Sequence, residues 1–228
     1  MTASKERQMK SSMAKYDYVL FDFDGTLSQS GIGVRMSLEH AITAMDKPMI
    51  DLSDYSKYLG PPLINTFRNL CGFNEEEANK GVAIYKEFYQ KEGINHNYLY
   101  DGIEQVLKTL KENNVPMAVC SSKYEPFLKR CCEIVGITEY FNAICGSSKD
   151  GKRKEKKDMI PYAVESLGGK MTDKIVIVGD TFFDTQGAVE TGIDFIGAEY
   201  GYGENQLMVD YGGKMFVKTP LEILDLIL

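Results

Sequence analysis

The segment YDYVLFDFDGT, residues 16–26, constrains the fold of this chain more than any other stretch. A run of β-forming residues ends in Asp22, Asp24, Gly25 and Thr26. Side chains two residues apart on a strand point to the same side, so the two carboxylates would repel each other unless a positive charge lies between them. The segment therefore predicts a strand that delivers two acids to one site.

A stretch of about seventy residues with helical spacing follows this strand. An apolar stripe runs from Val34 to Met45, and Asn74 has the character of an N-cap in front of three glutamates. We therefore expect a small all-helical insert over residues 31–95. Residues 1–15 are polar and lack the apolar centre of a signal peptide, which predicts a disordered tail.

Strand and helix patterns alternate over the rest of the chain, from about residue 100 onwards. The predicted strands lie near residues 115–120, 143–145, 174–178, 193–196 and 215–217. Such alternation is typical of an α/β fold with a doubly wound parallel sheet. We expect the core domain to comprise residues 16–30 and 96–228, with residues 31–95 as a separate helical domain.

The composition excludes several classes of function. A net charge of -7 argues against a general binder of nucleic acid or of anionic membranes, and no apolar run approaches membrane-spanning length. Five cysteines without a CxxC pair make a disulfide framework improbable and favour a reducing, cytoplasmic location. With only two histidines and no Cys/His cluster, the sequence offers no typical zinc site.

Small polar and acidic residues follow three of the predicted strands, and ligands of doubly wound sheets bind at that edge. Each aspartate alone could be a turn residue or a helix cap, but four aspartates at one edge of the sheet would repel one another and destabilise the fold. Two unit charges ~4 Å apart cost about 4 kcal/mol at an effective dielectric near 20. A hard cation such as Mg²⁺ would relieve it, because all the ligands are oxygens. The residues concerned are Asp22, Asp24, Ser121, Ser122, Lys123, Asp180 and Asp184.

Other ligand-binding motifs do not fit the sequence. A calcium loop that began at Asp22 would need a glutamate at its twelfth position, where Gly33 stands. The chain contains no GxxxxGK[ST] segment, and Gly201-Tyr202-Gly203 lacks the third glycine of a dinucleotide-binding fingerprint.

Three stretches at the ends of the predicted strands resemble motifs of the haloacid dehalogenase superfamily. DFDGT is similar to its first motif, VPMAVCSSK to its second and IVIVGDTFFDT to its fourth. The third motif is a lone lysine, for which we choose Lys156 at the start of a predicted helix, with Lys154 and Lys157 as alternatives. The insert resembles the C1 cap of the phosphoglycolate phosphatase-like branch, which LGPPL at residues 59–63 supports. Gln29 departs from the acid usual in that branch.

The resemblance implies a role for each site residue. Asp22 would be the nucleophile and Asp24 the general acid and base. Ser121, Ser122 and Lys156 would bind the substrate phosphate. Mg²⁺ would be held by the Asp22 carboxylate, the backbone carbonyl of Asp24, Asp180 and Asp184.

The activity that the resemblance implies is Mg²⁺-dependent hydrolysis of a small phosphomonoester, such as phosphoglycolate or a nucleotide, through an aspartyl-phosphate. A phosphomutase or a pyrophosphatase of the same family remains an alternative, as does a non-catalytic regulatory protein that binds metal or phosphate. We expect a small phosphorylated metabolite as the ligand, and a monomer or weak homodimer.

Overall fold

The computed structural model describes residues 14–228. Most of the predicted tail therefore lies outside the described residues. Its last two residues, Ala14 and Lys15, belong to the fold. The Lys15 N–H donates a hydrogen bond of 2.8 Å to the carbonyl of Ile227, and Ala14 packs against the buried core.

Within the described residues, six parallel strands form a single sheet in the order β3-β2-β1-β4-β5-β6. The chain begins in the middle of this sheet and winds outwards in both directions, with β1 between β2 and β4. This topology confirms the predicted doubly wound parallel sheet. The strands are β1 (Tyr18–Phe21), β2 (Met117–Tyr124), β3 (Ala143–Ser147), β4 (Ile175–Gly179), β5 (Asp194–Ala198) and β6 (Met215–Val217).

Nine α-helices are described, four of them between β1 and β2. Short 3-10 segments cover Tyr55–Lys57, Gly93–Asn95 and Thr138–Tyr140, and a π-helical turn covers Thr66–Leu70. The α-helices are α1 (Gly31–Ala44), α2 (Leu63–Asn65), α3 (Glu75–Lys91), α4 (Ile103–Glu112), α5 (Glu125–Ile134), α6 (Lys156–Ser166), α7 (Phe182–Thr191), α8 (Asn205–Asp210) and α9 (Glu222–Ile227).

Helices cover both faces of the sheet, as the residues of β1 illustrate. Val19 and Phe21 belong to one buried apolar cluster and Leu20 to another, because alternate side chains of a strand point to opposite faces. All three are fully buried, as expected for a central parallel strand. The rigid centre of the sheet thus fixes the position of whatever follows the strands.

Residues 31–95 contain helices and turns, and the described structure has no strand there. Helix α3 begins with a reciprocal capping box in which the Asn74 side chain accepts from the Glu77 N–H at 3.0 Å. Helices α1 and α3 pack together, and buried side chains such as Leu38 and Tyr89 join the apolar cluster that contains Phe21. We call residues 31–95 the cap segment.

The two chain crossings between the cap segment and the sheet run side by side. The Gln29 N–H donates to the carbonyl of Tyr98 at 2.7 Å, and the Tyr100 N–H donates to the carbonyl of Leu27 at 3.1 Å. Beside them the Ser28 hydroxyl donates to Oδ1 of Asn97 at 3.2 Å. Hydrogen bonds thus join the two crossings side by side, and we call these two segments the paired connection.

Two features of the fold differ from the sequence-based expectation. Strand β2 continues past Cys120 to Tyr124, because Tyr124 pairs with Ser147 of β3 after an irregularity in register. Helix α8 was not predicted, and its six residues are too few for a clear apolar period. Among residues 14–228, no helix combines the length and the apolar character needed to cross a membrane.

Candidate active site

Asp22 and Asp24 follow the carboxyl end of β1, and their carboxylates go to different partners. The Asp22 N–H donates to the carbonyl of Val178 at 2.8 Å, which extends the pairing of β1 with β4 by one residue. A turn then begins at Phe23, whose carbonyl accepts from the Leu27 and Ser28 N–H groups at 3.0 and 2.9 Å. The Asp22 side chain is 11% exposed and that of Asp24 is 17% exposed, so both carboxylates are largely shielded from water.

Lys156 reaches this site from the first turn of α6. Its ammonium lies 2.8 Å from Oδ1 of Asp22 and 2.5 Å from Oδ1 of Asp184, and it donates to the carbonyl of Cys120 at 2.8 Å. Burial by itself opposes the charged form, yet Asp184 and Asp22 outweigh it and hold the pKa of Lys156 above its usual value. Of the three candidate lysines it is the buried one, since Lys154 and Lys157 are exposed.

Asp180 and Asp184 come from the end of β4 and the start of α7. Oδ2 of Asp184 accepts from the Thr181 N–H at 3.2 Å and from the Thr181 hydroxyl at 2.8 Å, which caps the helix. Oδ1 of Asp180 accepts from the Thr26 hydroxyl at 3.2 Å. These bonds fix both carboxylates in the interior, where Asp180 is 1% exposed and Asp184 is fully buried.

Three of these carboxylates could share a cation. One oxygen from each of Asp22, Asp180 and Asp184 lies within 4.8 Å of the others. Burial, then repulsion from Asp22 and Asp184, raises the pKa of Asp180 well above its usual value, and burial likewise raises that of Asp184 despite Lys156. Lys156 contacts two of the three acids but provides only one positive charge. An all-oxygen set with excess negative charge fits a hard divalent cation.

The Asp24 carboxylate lies outside this triad and pairs with Lys123 instead. Oδ2 of Asp24 is 3.0 Å from the Lys123 ammonium, while Oδ1 of Asp24 is buried and has no hydrogen-bond partner among residues 14–228. Lys123 also donates to the hydroxyl of Tyr89, from the cap segment, at 3.0 Å. Lys123 is the last residue of the stretch that resembles the second motif, but no role was predicted for it.

The two predicted phosphate-binding serines occupy different environments at the end of β2. Ser121 is buried, directly after the Cys120 carbonyl that accepts from Lys156, and its hydroxyl accepts from the Lys123 N–H at 3.4 Å. Ser122 is exposed. The structure therefore brings Ser121 together with Lys156, whereas the Ser122 side chain faces solvent.

The loop after β5 is part of the site, which sequence reasoning missed. The Tyr202 N–H donates to Oδ2 of Asp180 at 2.8 Å, and a Cβ added to Gly201 or Gly203 would overlap Asp180. A Cβ at Gly25, whose φ is +82°, would likewise overlap the Asp180 carboxylate. Two glycines next to a tyrosine after a strand, at the edge where ligands bind, are the signal that could have identified this loop.

This arrangement matches a family model described as haloacid dehalogenase-like hydrolase, over residues 19–198. The chain belongs to the haloacid dehalogenase-like hydrolase family. The resemblance drawn from the three motifs is thereby confirmed. The match includes the cap segment and every residue of the site except the loop that contains Tyr202.

Relatives of this hydrolase have several different names. A 5'-nucleotidase from Pseudomonas aeruginosa is 31% identical over 86% of this chain and 88% of its own length. A phosphoglycolate phosphatase from Aquifex aeolicus is 26% identical over 81% of this chain and 85% of its own. Tyrosine-protein kinase PtkA from Mycobacterium tuberculosis is 35% identical over 81% of this chain. The matched region spans only 62% of that kinase's length.

Solved structures of the family superpose on this hydrolase over nearly its whole length. A predicted phosphatase from Clostridium acetobutylicum is 36% identical and gives a TM-score of 0.84, covering 92% of this chain and 99% of its own. The mycobacterial PtkA structure is 32% identical with a TM-score of 0.80, covering 92% of this chain and 97% of that one. Both the sheet and the cap segment are therefore shared with these proteins.

Proposed function

We propose that this hydrolase cleaves a small phosphomonoester through an aspartyl-phosphate formed on Asp22. The observation that carries the proposal is the position of the Asp22 carboxylate at the end of the central strand. There it lies 2.8 Å from the Lys156 ammonium and within 4.8 Å of the other two acids of the triad. A carboxylate held in place beside positive charge is suited to attack an anionic phosphoryl group. The phosphatases among the relatives support this choice of reaction.

The reaction has two steps in this proposal. An oxygen of Asp22 attacks phosphorus, the bond from phosphorus to the leaving oxygen breaks, and Asp24 donates a proton to that oxygen. Asp24 then takes a proton from a water molecule whose oxygen attacks phosphorus. The bond from phosphorus to the Asp22 oxygen breaks, which releases inorganic phosphate and restores the free Asp22 carboxylate and the protonated Asp24. Ser121 donates a hydrogen bond to the phosphoryl oxygens, the backbone at Ser122 lines the same site, and Lys156 neutralises charge that develops on them.

The proposed cofactor is Mg²⁺, held by Asp22, Asp180, Asp184 and the backbone carbonyl of Asp24. When bound, the ion would neutralise negative charge between the acids and the phosphoryl group. The buried, closely spaced oxygens of the triad support this assignment. Thr26, Thr181 and the Tyr202 N–H would keep the ligand oxygens oriented, because they bond directly to the carboxylates.

We assign the choice of substrate to the cap segment. It covers the carboxyl edge of the sheet through contacts such as Tyr89 with Lys123, and Gly60 lies beside the side chain of Phe183 at the start of α7. Movement about the paired connection would admit substrate and then exclude water until the leaving group departs. The proposed ligand is a small phosphorylated metabolite of the cytoplasm, with no nucleic acid or membrane as partner. The working form is a monomer or weak homodimer.

A release assay tests this function directly. The protein with p-nitrophenyl phosphate and Mg²⁺ should liberate nitrophenol and phosphate in equal amounts, and excess EDTA should stop the reaction. The same assay on Asp22→Asn provides the matched control. A protein that binds phosphate or Mg²⁺ without turnover would instead be the regulatory alternative, and full activity in EDTA would remove the metal from the proposal.

The similarity to a tyrosine-protein kinase raises a second reaction, phosphoryl transfer to a hydroxyl group, which the experiment must distinguish from hydrolysis. An aspartyl-phosphate can pass its phosphoryl group to a hydroxyl group instead of to water. Incubation with ATP and a tyrosine-containing peptide, followed by mass spectrometry, distinguishes the two. Phosphate release without a phosphopeptide supports the hydrolase, and a phosphopeptide in high yield supports transfer.

A further inference from the structure

Lys123 is a buried cation on the side of the site away from Lys156. Its side chain is 10% exposed. Lys123 lies near the end of β2, where the pairing of the strands does not require a charged side chain. Burying an ammonium carries a desolvation cost, so a buried lysine calls for an account of what it contacts. The described residues supply two polar partners for an ammonium that has three donors.

Lys156 and Lys123 contact different acids of the site. Lys156 contacts Asp22 and Asp184, the acids around the proposed point of phosphoryl transfer. Lys123 contacts Asp24, the group proposed to protonate the leaving oxygen, at 3.0 Å. A group that can reach the leaving oxygen lies on the leaving-group side of phosphorus. The ammonium 3.0 Å from its carboxylate therefore lies on that side as well.

The cap segment closes over this ammonium. The Tyr89 ring centroid is 4.9 Å from the Lys123 ammonium, and the Tyr89 hydroxyl accepts its hydrogen bond at 3.0 Å. Tyr85 and Cys131 lie beside Tyr89. Burial opposes the charge on Lys123, but Asp24 holds its pKa well above the usual value. A full positive charge thus lies between the sheet and the cap, where a leaving group would be enclosed.

We propose that Lys123 selects substrates whose leaving group carries an anionic group close to the bridging oxygen, either the carboxylate of a phosphomonoester or the phosphoryl group of a phosphoanhydride. In this assignment, which rests on the proposed phosphatase function, the substrate anion contacts the ammonium that Asp24 and Tyr89 hold in place. A neutral leaving group of the same size leaves the ammonium without that contact. Lys123 is then a specificity-determining residue of the leaving-group side.

The test compares substrates that differ in charge and little else. Phosphoglycolate and hydroxyethyl phosphate have leaving groups of similar length, one with a carboxylate and one with a hydroxyl, and pyrophosphate offers a phosphoryl group instead. Wild type, Lys123→Met, Lys123→Arg and Lys152→Met are assayed for kcat/KM with saturating Mg²⁺. Lys152 is the matched control, because its side chain is 84% exposed and the same charge is removed from the surface.

We expect wild type to favour an anionic leaving group over hydroxyethyl phosphate. Lys123→Met should reduce that preference by about 10- to 100-fold, the usual range for one charged hydrogen bond. Lys123→Arg should retain part of the preference, and Lys152→Met should leave it unchanged. Loss confined to phosphoglycolate identifies a carboxylate, and loss confined to pyrophosphate identifies a phosphoryl group. An equal loss on all three substrates would overturn the proposal and leave Lys123 as a structural tie to the cap.

A binding measurement separates this inference from the proposed function. Calorimetric titration of phosphoglycolate and hydroxyethyl phosphate into Asp22→Asn, with and without Lys123→Met, needs no turnover. Stronger binding of phosphoglycolate that Lys123→Met removes supports the inference even if no phosphate is released by wild type. Equal binding of both compounds overturns it, even if wild type proves to be an active phosphatase. Unfolding temperatures of each variant confirm that the compared proteins are folded.

Discussion

The Tyr202 N–H donates a hydrogen bond of 2.8 Å to Oδ2 of Asp180. The hydroxyl of the same tyrosine accepts one of 3.0 Å from the N–H of Gly31, the first residue of α1. Tyr202 thereby connects an acid of the proposed metal site to the point where the chain enters the cap segment. Its ring also packs against Tyr55 of the cap, with ring centroids 5.3 Å apart.

Replacement of Gly201 by alanine should weaken the metal site. The added Cβ would overlap the side chain of Asp180, so the carboxylate or the loop must move. Displacement of an oriented ligand typically lowers metal affinity by about 10- to 100-fold. Titration of Mg²⁺ in the phosphatase assay, and calorimetry without substrate, should both show the higher dissociation constant.

Gly136→Ala is the control for this substitution. A Cβ at Gly136 meets no atom of the described part of the chain within 4 Å, although its φ of +72° makes alanine there somewhat strained. It should therefore cost stability, by about 1 kcal/mol, without a change in Mg²⁺ affinity. If Gly201→Ala behaves in the same way as Gly136→Ala, the loop does not position Asp180.

Tyr202→Phe tests the other half of this connection. The variant keeps the backbone bond to Asp180 and the ring, but removes the hydroxyl that accepts from Gly31. We expect a loss of about 1 kcal/mol in the free energy of unfolding, as for one hydrogen bond whose partner stays buried. Mg²⁺ affinity should remain near that of wild type while KM changes, because the substitution affects the cap entry. Urea unfolding and steady-state kinetics give both quantities, and a large loss of Mg²⁺ affinity would contradict this division.

Asp22→Asn should separate activity from stability. Turnover should fall by at least ~10³-fold, since an amide cannot form the covalent intermediate, and acid-quenched samples should contain no protein-bound phosphate. The variant should unfold at the same temperature as wild type or higher in EDTA, because one charge of a crowded acidic triad is removed. Near-normal turnover would show that another residue is the nucleophile.

The sequence predicted the elements whose signals are local. The alternating strand pattern gave the parallel sheet, and Asn74 marked the start of α3 through its cap. The four aspartates were found because parallel strands carry their ends to one edge, which depends on topology alone. Lys156 could be preferred over Lys154 and Lys157 only from its place at the start of a helix.

Contacts between distant segments could not be predicted in this way. Tyr202 and Asp180 are 22 residues apart, and Lys123 and Tyr89 are 34 apart, so no periodic pattern relates them. Lys123 was counted among the polar residues after the strand predicted near residues 115–120, but its burial depends on the cap segment, whose packing is set by apolar side chains from several helices. Such pairs follow from how surfaces fit together, and a single sequence carries little information about that.

The acidic triad should make stability depend on pH more strongly without Mg²⁺ than with it. Burial and the neighbouring Asp22 raise the pKa of Asp180 above that of an aspartate in the unfolded chain, which is about 3.9. Its contribution to stability is therefore fully present below the unfolded pKa and is lost as pH rises through the folded pKa. Mg²⁺ binds the ionised carboxylates, so it should compensate most where that loss is greatest.

The measurement is the thermal unfolding midpoint in EDTA and in Mg²⁺ at pH values of about 5.5 and 8. The increase caused by Mg²⁺ should be larger at the higher pH, because protons compete with the ion for the triad at the lower one. Asp180→Asn should reduce this difference, since it removes an acid whose pKa burial raises well above the usual value. Asp210→Asn, at the end of α8 and exposed, is the matched control and should leave the difference as in wild type. An Mg²⁺-induced increase of the same size at both pH values would show that the buried carboxylates are ionised throughout this range, and that their crowding is relieved within the protein by Lys156.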